Sequence, residues 1–174
     1  MEEKGFAAMS VRHIADALDF SKANFYHHVD SKEDLLHDVF VETLRFSLAR
    51  IEAIVGNGDS TQDQLRTLIE FYVSLMTDRR AVMLVWFKER AHLTVAHQKD
   101  VSRLEDQIIA TLEQFYARGM AEGIFKPLDV DIVRTAIFGM CFLLTMLSQK
   151  KGRTTIAAIT RQLQVLASTG LLAS

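Results

Sequence analysis

The 174-residue chain is poor in the residues that punctuate or staple a fold, with one proline, one cysteine and eight glycines. One proline is far below the usual ~5% of a chain, which excludes a Pro-rich disordered protein and argues against a turn-rich β-sandwich. Long helices are the economical reading. The lone Cys141 offers no intrachain disulfide, so a reduced, cytoplasmic setting is expected. Long apolar runs are missing too: the longest uncharged stretch, Thr135 to Gln149, covers 15 residues, short of the ~20 that a membrane-spanning helix needs. Glu2 and Glu3 stand where a secretory signal carries basic residues. Neither sign of charge is in excess, since 20 Lys/Arg face 22 Asp/Glu. That balance neither supports nor excludes a nucleic-acid partner.

What is present is a succession of amphipathic helices, with no sustained period-2 alternation and no internal repeat. Serines sit at the starts of the early ones: Ser10 before Val11 to Leu18, Ser21 before Lys22 to Val29, and Ser31 before a longer helix running to about Val55. Gly56-Asn57-Gly58-Asp59 stops that helix, and Ser60 begins another that ends near Thr77-Asp78. Arg79 to about Leu93 follows. The stripe Val101, Leu104, Ile108, Leu112, Phe115 and Tyr116 marks a long helix from about His97 to Glu122, closed by Gly123 and Pro127. Asp129 opens a helix whose centre is apolar all round, and Thr155 to about Ser168 forms the last. The fold class is all-α, divided into a head over residues 1–45 and a larger domain over 46–174.

The first two helices, joined across Asp19-Phe20, have the size of a helix-turn-helix, whose second helix must enter a major groove about 12 Å wide. Ile14, Ala15, Leu18, Phe20 and Phe25 turn inward, leaving Lys22, Asn24, Tyr26 and His27 or His28 for phosphates and base edges. The order of residues over Gly5–Ala15 and Ser21–Leu36 resembles the DNA-binding signature of TetR-family transcriptional regulators. The resemblance implies a homodimeric, all-helical repressor that binds a palindromic operator and is released by a small effector held in the C-terminal domain. It makes Ser10 and Arg12 phosphate anchors, places Ser21, Lys22, Ala23 and Asn24 at the bases or phosphates, and assigns Tyr26, His27 and Lys32 to the backbone clamp. Asp19 and Ala23 stand where the family commonly has glycine, and Val29 where it has phenylalanine. Only five residues precede Phe6, where the family carries a full helix. Residues 1–40 hold four basic against eight acidic side chains, so weak, salt-sensitive DNA binding is expected. A helical dimerisation or ligand-binding module with impaired DNA binding is the alternative.

The C-terminal region is similar to a TetR subgroup that governs fatty-acid or steroid catabolism and responds to acyl-coenzyme A thioesters. The similar stretches are Val85–Leu93, Gly119–Phe125 and Lys151-Gly152-Arg153. The expected effector site is an apolar pocket lined by Phe71, Leu75, Trp86, Phe87, Arg90, Phe115, Tyr116, Phe138, Cys141 and Phe142. Each of these residues taken singly fits core packing better than a ligand site, and Cys141 reads as a small buried hydrophobe. The dimer is expected to form through the last two helices, using Ile137, Gly139, Met140, Leu144, Leu147, Ile159, Leu163 and Leu166, with a buried core helix in a monomer as the alternative. Glu89 and His92 have the i, i+3 spacing of a helix-bundle metal motif, but no second such pair occurs. A phosphate loop, a nucleophile elbow and paired cysteines are also missing from the sequence. Neither an enzyme, a cofactor, a metal nor a membrane partner is expected.

Overall fold

The computed structural model describes residues 31–148 and 155–173, with the backbone alone at Lys32 and at 146–148. Among these residues all regular structure is helical: α1 (Lys32–Val55), α2 (Thr61–Asp78), α3 (Arg80–Glu89) with a 3-10 turn at Arg90–His92, α4 (Val95–Ala121), α5 (Val130–Ser148) and α6 (Ile156–Leu171). One isolated antiparallel bridge joins Phe125 to Leu172. The two short helices expected before Ser31 lie outside the described residues.

Five of these α-helices begin at a side chain that accepts the N–H three residues on, which satisfies one of the orphan donors of the first turn. Ser31 Oγ accepts from Asp34 N–H at 3.1 Å, Ser60 Oγ from Asp63 at 3.2 Å, Thr94 Oγ1 from His97 at 3.3 Å, Asp129 Oδ1 from Ile132 at 3.1 Å and Thr155 Oγ1 from Ala158 at 3.2 Å. The Ser31 and Ser60 hydroxyls also donate to the carboxylates of Asp34 and Asp63. Thr94 moves the start of α4 upstream of His97, to Val95.

The described residues belong to two compact units. The first takes in residues up to Phe46 together with Ala81–Glu105, and the second Ser47–Arg80 with Asp106 onward. In the first, Leu35, Leu36, Val39 and Phe40 of α1, Val82 and Met83 of α3, and Val101 and Leu104 of α4 are buried, and the Trp86 ring meets Phe40 edge-on at 4.7 Å. In the second, α2 packs against both α5 and α6, which also pack on each other.

Two connections in the second unit are pinned. After α1, Gly58 takes a φ of 81°, a left-handed conformation open to glycine at little cost. The buried amide of Gln64 donates to the Val55 carbonyl and to Asn57 Oδ1, and accepts from Arg118 at 2.6 Å. After α4, Gly123 has φ 70°, and the N–H groups of Ile124 and Phe125 both turn back to the Gly119 carbonyl. The Phe125 ring then occupies the space that a Cβ on Gly119 would need. Lys126 Nζ donates to the carbonyls of Thr169 and Gly170 at 3.1 Å, where a cation complements the C-terminal end of α6.

Candidate functional site

The inner face of α5 carries Arg134, Ile137, Phe138, Cys141 and Thr145, spaced so that they line one side of the helix. Ile137, Cys141 and Thr145 are buried, and Arg134 and Phe138 half-buried. Tyr72 of α2 meets Phe138 edge-on with ring centroids 5.8 Å apart, and Tyr116 of α4 leans on Phe115 and Phe125. Burial is the main force keeping both phenols protonated, with Cys141 reinforcing it and the Arg134 charge opposing it. Burial pushes the Cys141 thiol up to about 12. Two polar atoms here are sealed without a hydrogen-bond partner among the described residues, Thr145 Oγ1 and Arg134 Nε. A second nitrogen of Arg134 donates to Asp131 at 2.7 Å. A buried polar atom left unmatched costs about 1–3 kcal/mol.

The expected effector residues divide between the two units. Phe71, Leu75, Phe115, Tyr116, Phe138, Cys141 and Phe142 lie in the second, buried except for the half-buried Phe138 and Phe142. The crevice beside Tyr116, Met120 and Phe125 leaves no space for a water molecule. Trp86, Phe87 and Arg90 lie in the first unit. There Phe87 is 56% exposed. Arg90 is already matched: Nε donates to Glu105 at 3.1 Å, a second nitrogen to the other Glu105 oxygen and to Ser102, and the guanidinium covers the Trp86 ring at 5.7 Å. That leaves it a brace between the 3-10 turn and α4. Tyr72, Arg134 and Thr145 are absent from the residues that the sequence singles out. Tyr72 reads as one more apolar position in a stripe, and Thr145 hides in an otherwise apolar run; its place four residues after Cys141 is the available signal.

Of the expected dimer residues, Ile137, Ile159 and Leu163 are buried within the protomer, Gly139 and Met140 half-buried, and Leu144 and Leu166 exposed. The Leu147 side chain lies outside the described residues. The exposed apolar positions Ile132, Leu143 and Leu144 of α5 and Val165 and Leu166 of α6 form outer faces, with open space where a Gly139 Cβ would stand. Ser10, Arg12, Ser21, Lys22, Ala23, Asn24, Tyr26 and His27 lie outside the described residues, and Lys32 contributes only its backbone at the start of α1. Among the described residues no cluster of His, Cys, Asp or Glu is arranged to hold a metal ion, and no helix is long and apolar enough to cross a membrane.

A family model described as bacterial regulatory proteins of the tetR family matches residues 1–39, and one described as the tetracyclin repressor-like C-terminal domain matches residues 58–171. The class that these two matches define is a regulatory protein of the tetR type, and the regular structure of its described C-terminal residues is helical. The chain belongs to the TetR family. It is 28% identical over 134 residues to the HTH-type transcriptional repressor KstR2 of Mycolicibacterium smegmatis, a match covering 75% of this chain and 65% of that protein. The matched region thus spans about two thirds of that curated relative. The solved structure of the TetR-family regulator PfmR from Thermus thermophilus superposes with a TM-score of 0.78 at 25% identity, covering 97% of this chain and 92% of that one. The regulator FadR of Bacillus subtilis, solved with stearoyl-CoA, shares the fold at 20% identity and a TM-score of 0.70, over 97% of this chain and 91% of that one.

Proposed function

We propose that the protein is a ligand-responsive transcriptional repressor. In this reading a homodimer grips a palindromic operator through its paired heads and releases it when a small apolar or acyl-thioester effector enters the C-terminal domain. The observation that carries the reading is the tandem on one chain of a regulatory head over residues 1–39 and a repressor-like domain over 58–171. The outer faces of α5 and α6 support the dimer, because Leu143, Leu144, Val165 and Leu166 are exposed on adjoining helices, and such a patch calls for a partner surface. The half-sites of the operator then lie about 34–36 Å apart, one helical turn of DNA.

An acyl thioester is the favoured effector class because the inner face of α5 is apolar around two polar atoms that lack partners among the described residues, Thr145 Oγ1 and Arg134 Nε. An apolar chain with one polar group matches that lining. FadR, which shares the fold, is solved with such a molecule. The crevice at Tyr116, between α4, the loop that follows it, α5 and α6, is closed, so a ligand entering there requires those elements to part. Ligand binding is therefore coupled to helix movement.

Gel-shift of the full chain with DNA flanking its own gene tests the reading. Specific binding is expected, with the affinity falling steeply as salt rises, and Tyr26→Ala or Lys32→Ala is expected to abolish it while leaving the dimer intact. Failure of the unaltered chain to bind even in low salt overturns the proposal.

A further inference from the structure

Thr145 spends its hydroxyl differently from four other helical threonines of this protein. Thr67, Thr77, Thr111 and Thr160 each donate to the carbonyl four residues back, at 2.8 to 3.0 Å, a bond that satisfies a hydroxyl within its own helix. Thr145 makes no such bond, although Cys141 stands at the same spacing, and its Oγ1 is sealed from solvent with no partner among the described residues. The residue is 0% exposed, so water does not match it either.

Thr145 closes a stripe that Arg134 opens. Arg134, Phe138, Cys141 and Thr145 recur at i, i+4, i+7 and i+11, which at about 3.6 residues per turn puts all four on one face of α5, its ends roughly 16 Å apart along the axis. The two ends differ. The Arg134 side chain is 26% exposed and bonds Asp131, itself 69% exposed, so that end opens toward solvent while the Thr145 end is closed. Between them the middle is apolar, with the buried Cys141 and with Phe138, which meets Tyr72 edge-on. We infer that Thr145 selects the effector by its tail, and that the effector is an acyl thioester carrying a hydroxyl or carbonyl oxygen at the end remote from the thioester. This rests on the reading of the second unit as the seat of a thioester effector. The coenzyme A portion is charged and has to stay at the solvent-open Arg134 end, which sends the tail toward Thr145. A plain hydrocarbon tail leaves the threonine hydroxyl unmatched, whereas an oxygenated tail matches it and is matched in return.

Titration calorimetry with lauroyl-, myristoyl- and palmitoyl-coenzyme A, each beside its terminally hydroxylated counterpart, tests the inference on the full-length chain and on Thr145→Val and Thr145→Ser. The unaltered chain is expected to bind the hydroxylated member of at least one pair about five- to tenfold more tightly. Thr145→Val keeps the shape and removes the hydroxyl, so it is expected to abolish or reverse that preference, and Thr145→Ser to retain it. Because no described residue bonds the hydroxyl, the valine variant without ligand is expected to melt no lower than the unaltered chain. Equal affinities within every pair, or a preference that survives Thr145→Val, would overturn the inference and leave the thioester effector standing. A valine variant that melts well below the unaltered chain also counts against it, since the hydroxyl then serves the fold. Binding of no thioester at all contradicts the effector class, and the inference falls with it.

Discussion

Gly119 and Phe125 show how a single missing atom shapes the domain. The Phe125 ring lies where a Gly119 side chain would begin, and the same glycine's carbonyl receives the N–H groups of Ile124 and Phe125. Gly119→Ala has to push the ring out of its packing with Phe115 and Tyr116. It is expected to cost about 1–3 kcal/mol, read as a lower urea midpoint with an unchanged slope. Cys141 gives a second test. Its thiol, pushed up to about 12 by burial, is expected to resist iodoacetamide in the native state at pH 8 and to react at once on denaturation. Because the folded value lies above the ordinary one, the neutral thiol contributes stability below about pH 9, and that contribution fades as pH rises toward 12. Rapid native alkylation would contradict the buried placement.

Helix boundaries follow local chemistry that is visible in one dimension. Ser31, Ser60, Asp129 and Thr155 stand at helix starts in the sequence and cap those helices in the structure, because an N-cap needs only a short polar side chain three residues before a free N–H. Thr94 obeys the same rule but stands before Val95-Ala96, ahead of the apolar stripe, so the sequence pattern alone sets the start of α4 too late. Burial is harder to read. Periodicity marks Ile137, Ile159 and Leu163 as apolar without saying which side of their helices faces the protomer, and they are buried inside it. The side that remains open carries Leu144 and Leu166 with Leu143, Val165 and Ile132. A charge at the middle of this face is expected to split the proposed dimer. Leu144→Glu combined with Leu166→Glu is expected to sediment as a folded species at the 19.7 kDa of one chain, against twice that for the unaltered chain. An unaltered chain that sediments as a monomer at micromolar concentration would contradict the proposed interface.

Across the whole molecule, the limits of the sequence are those of non-local pairing. The all-helical class and the head-plus-domain plan are legible from sparse proline, capping residues and the ordered motif over Gly5–Leu36. That residues 81–105 join the first compact unit is not, since contacts between distant segments leave no local mark. For the same reason Arg90, expected in the effector pocket, proves to be held by Glu105, Ser102 and the Trp86 face. The effector candidates consequently fall into two groups, and those in the second unit share it with the two polar atoms of α5 that lack partners among the described residues. A ligand that binds the native state raises its stability, and one that also favours a different spacing of the heads must weaken operator binding by the same coupling. Fluorescence anisotropy of the protein on labelled operator, titrated with acyl-coenzyme A thioesters of increasing chain length, tests that coupling most directly. The account predicts saturable binding by a dimer and release by at least one thioester, with about five- to 150-fold loss of affinity. An operator complex indifferent to every thioester, formed by a chain that none of them stabilises against heat, would contradict it.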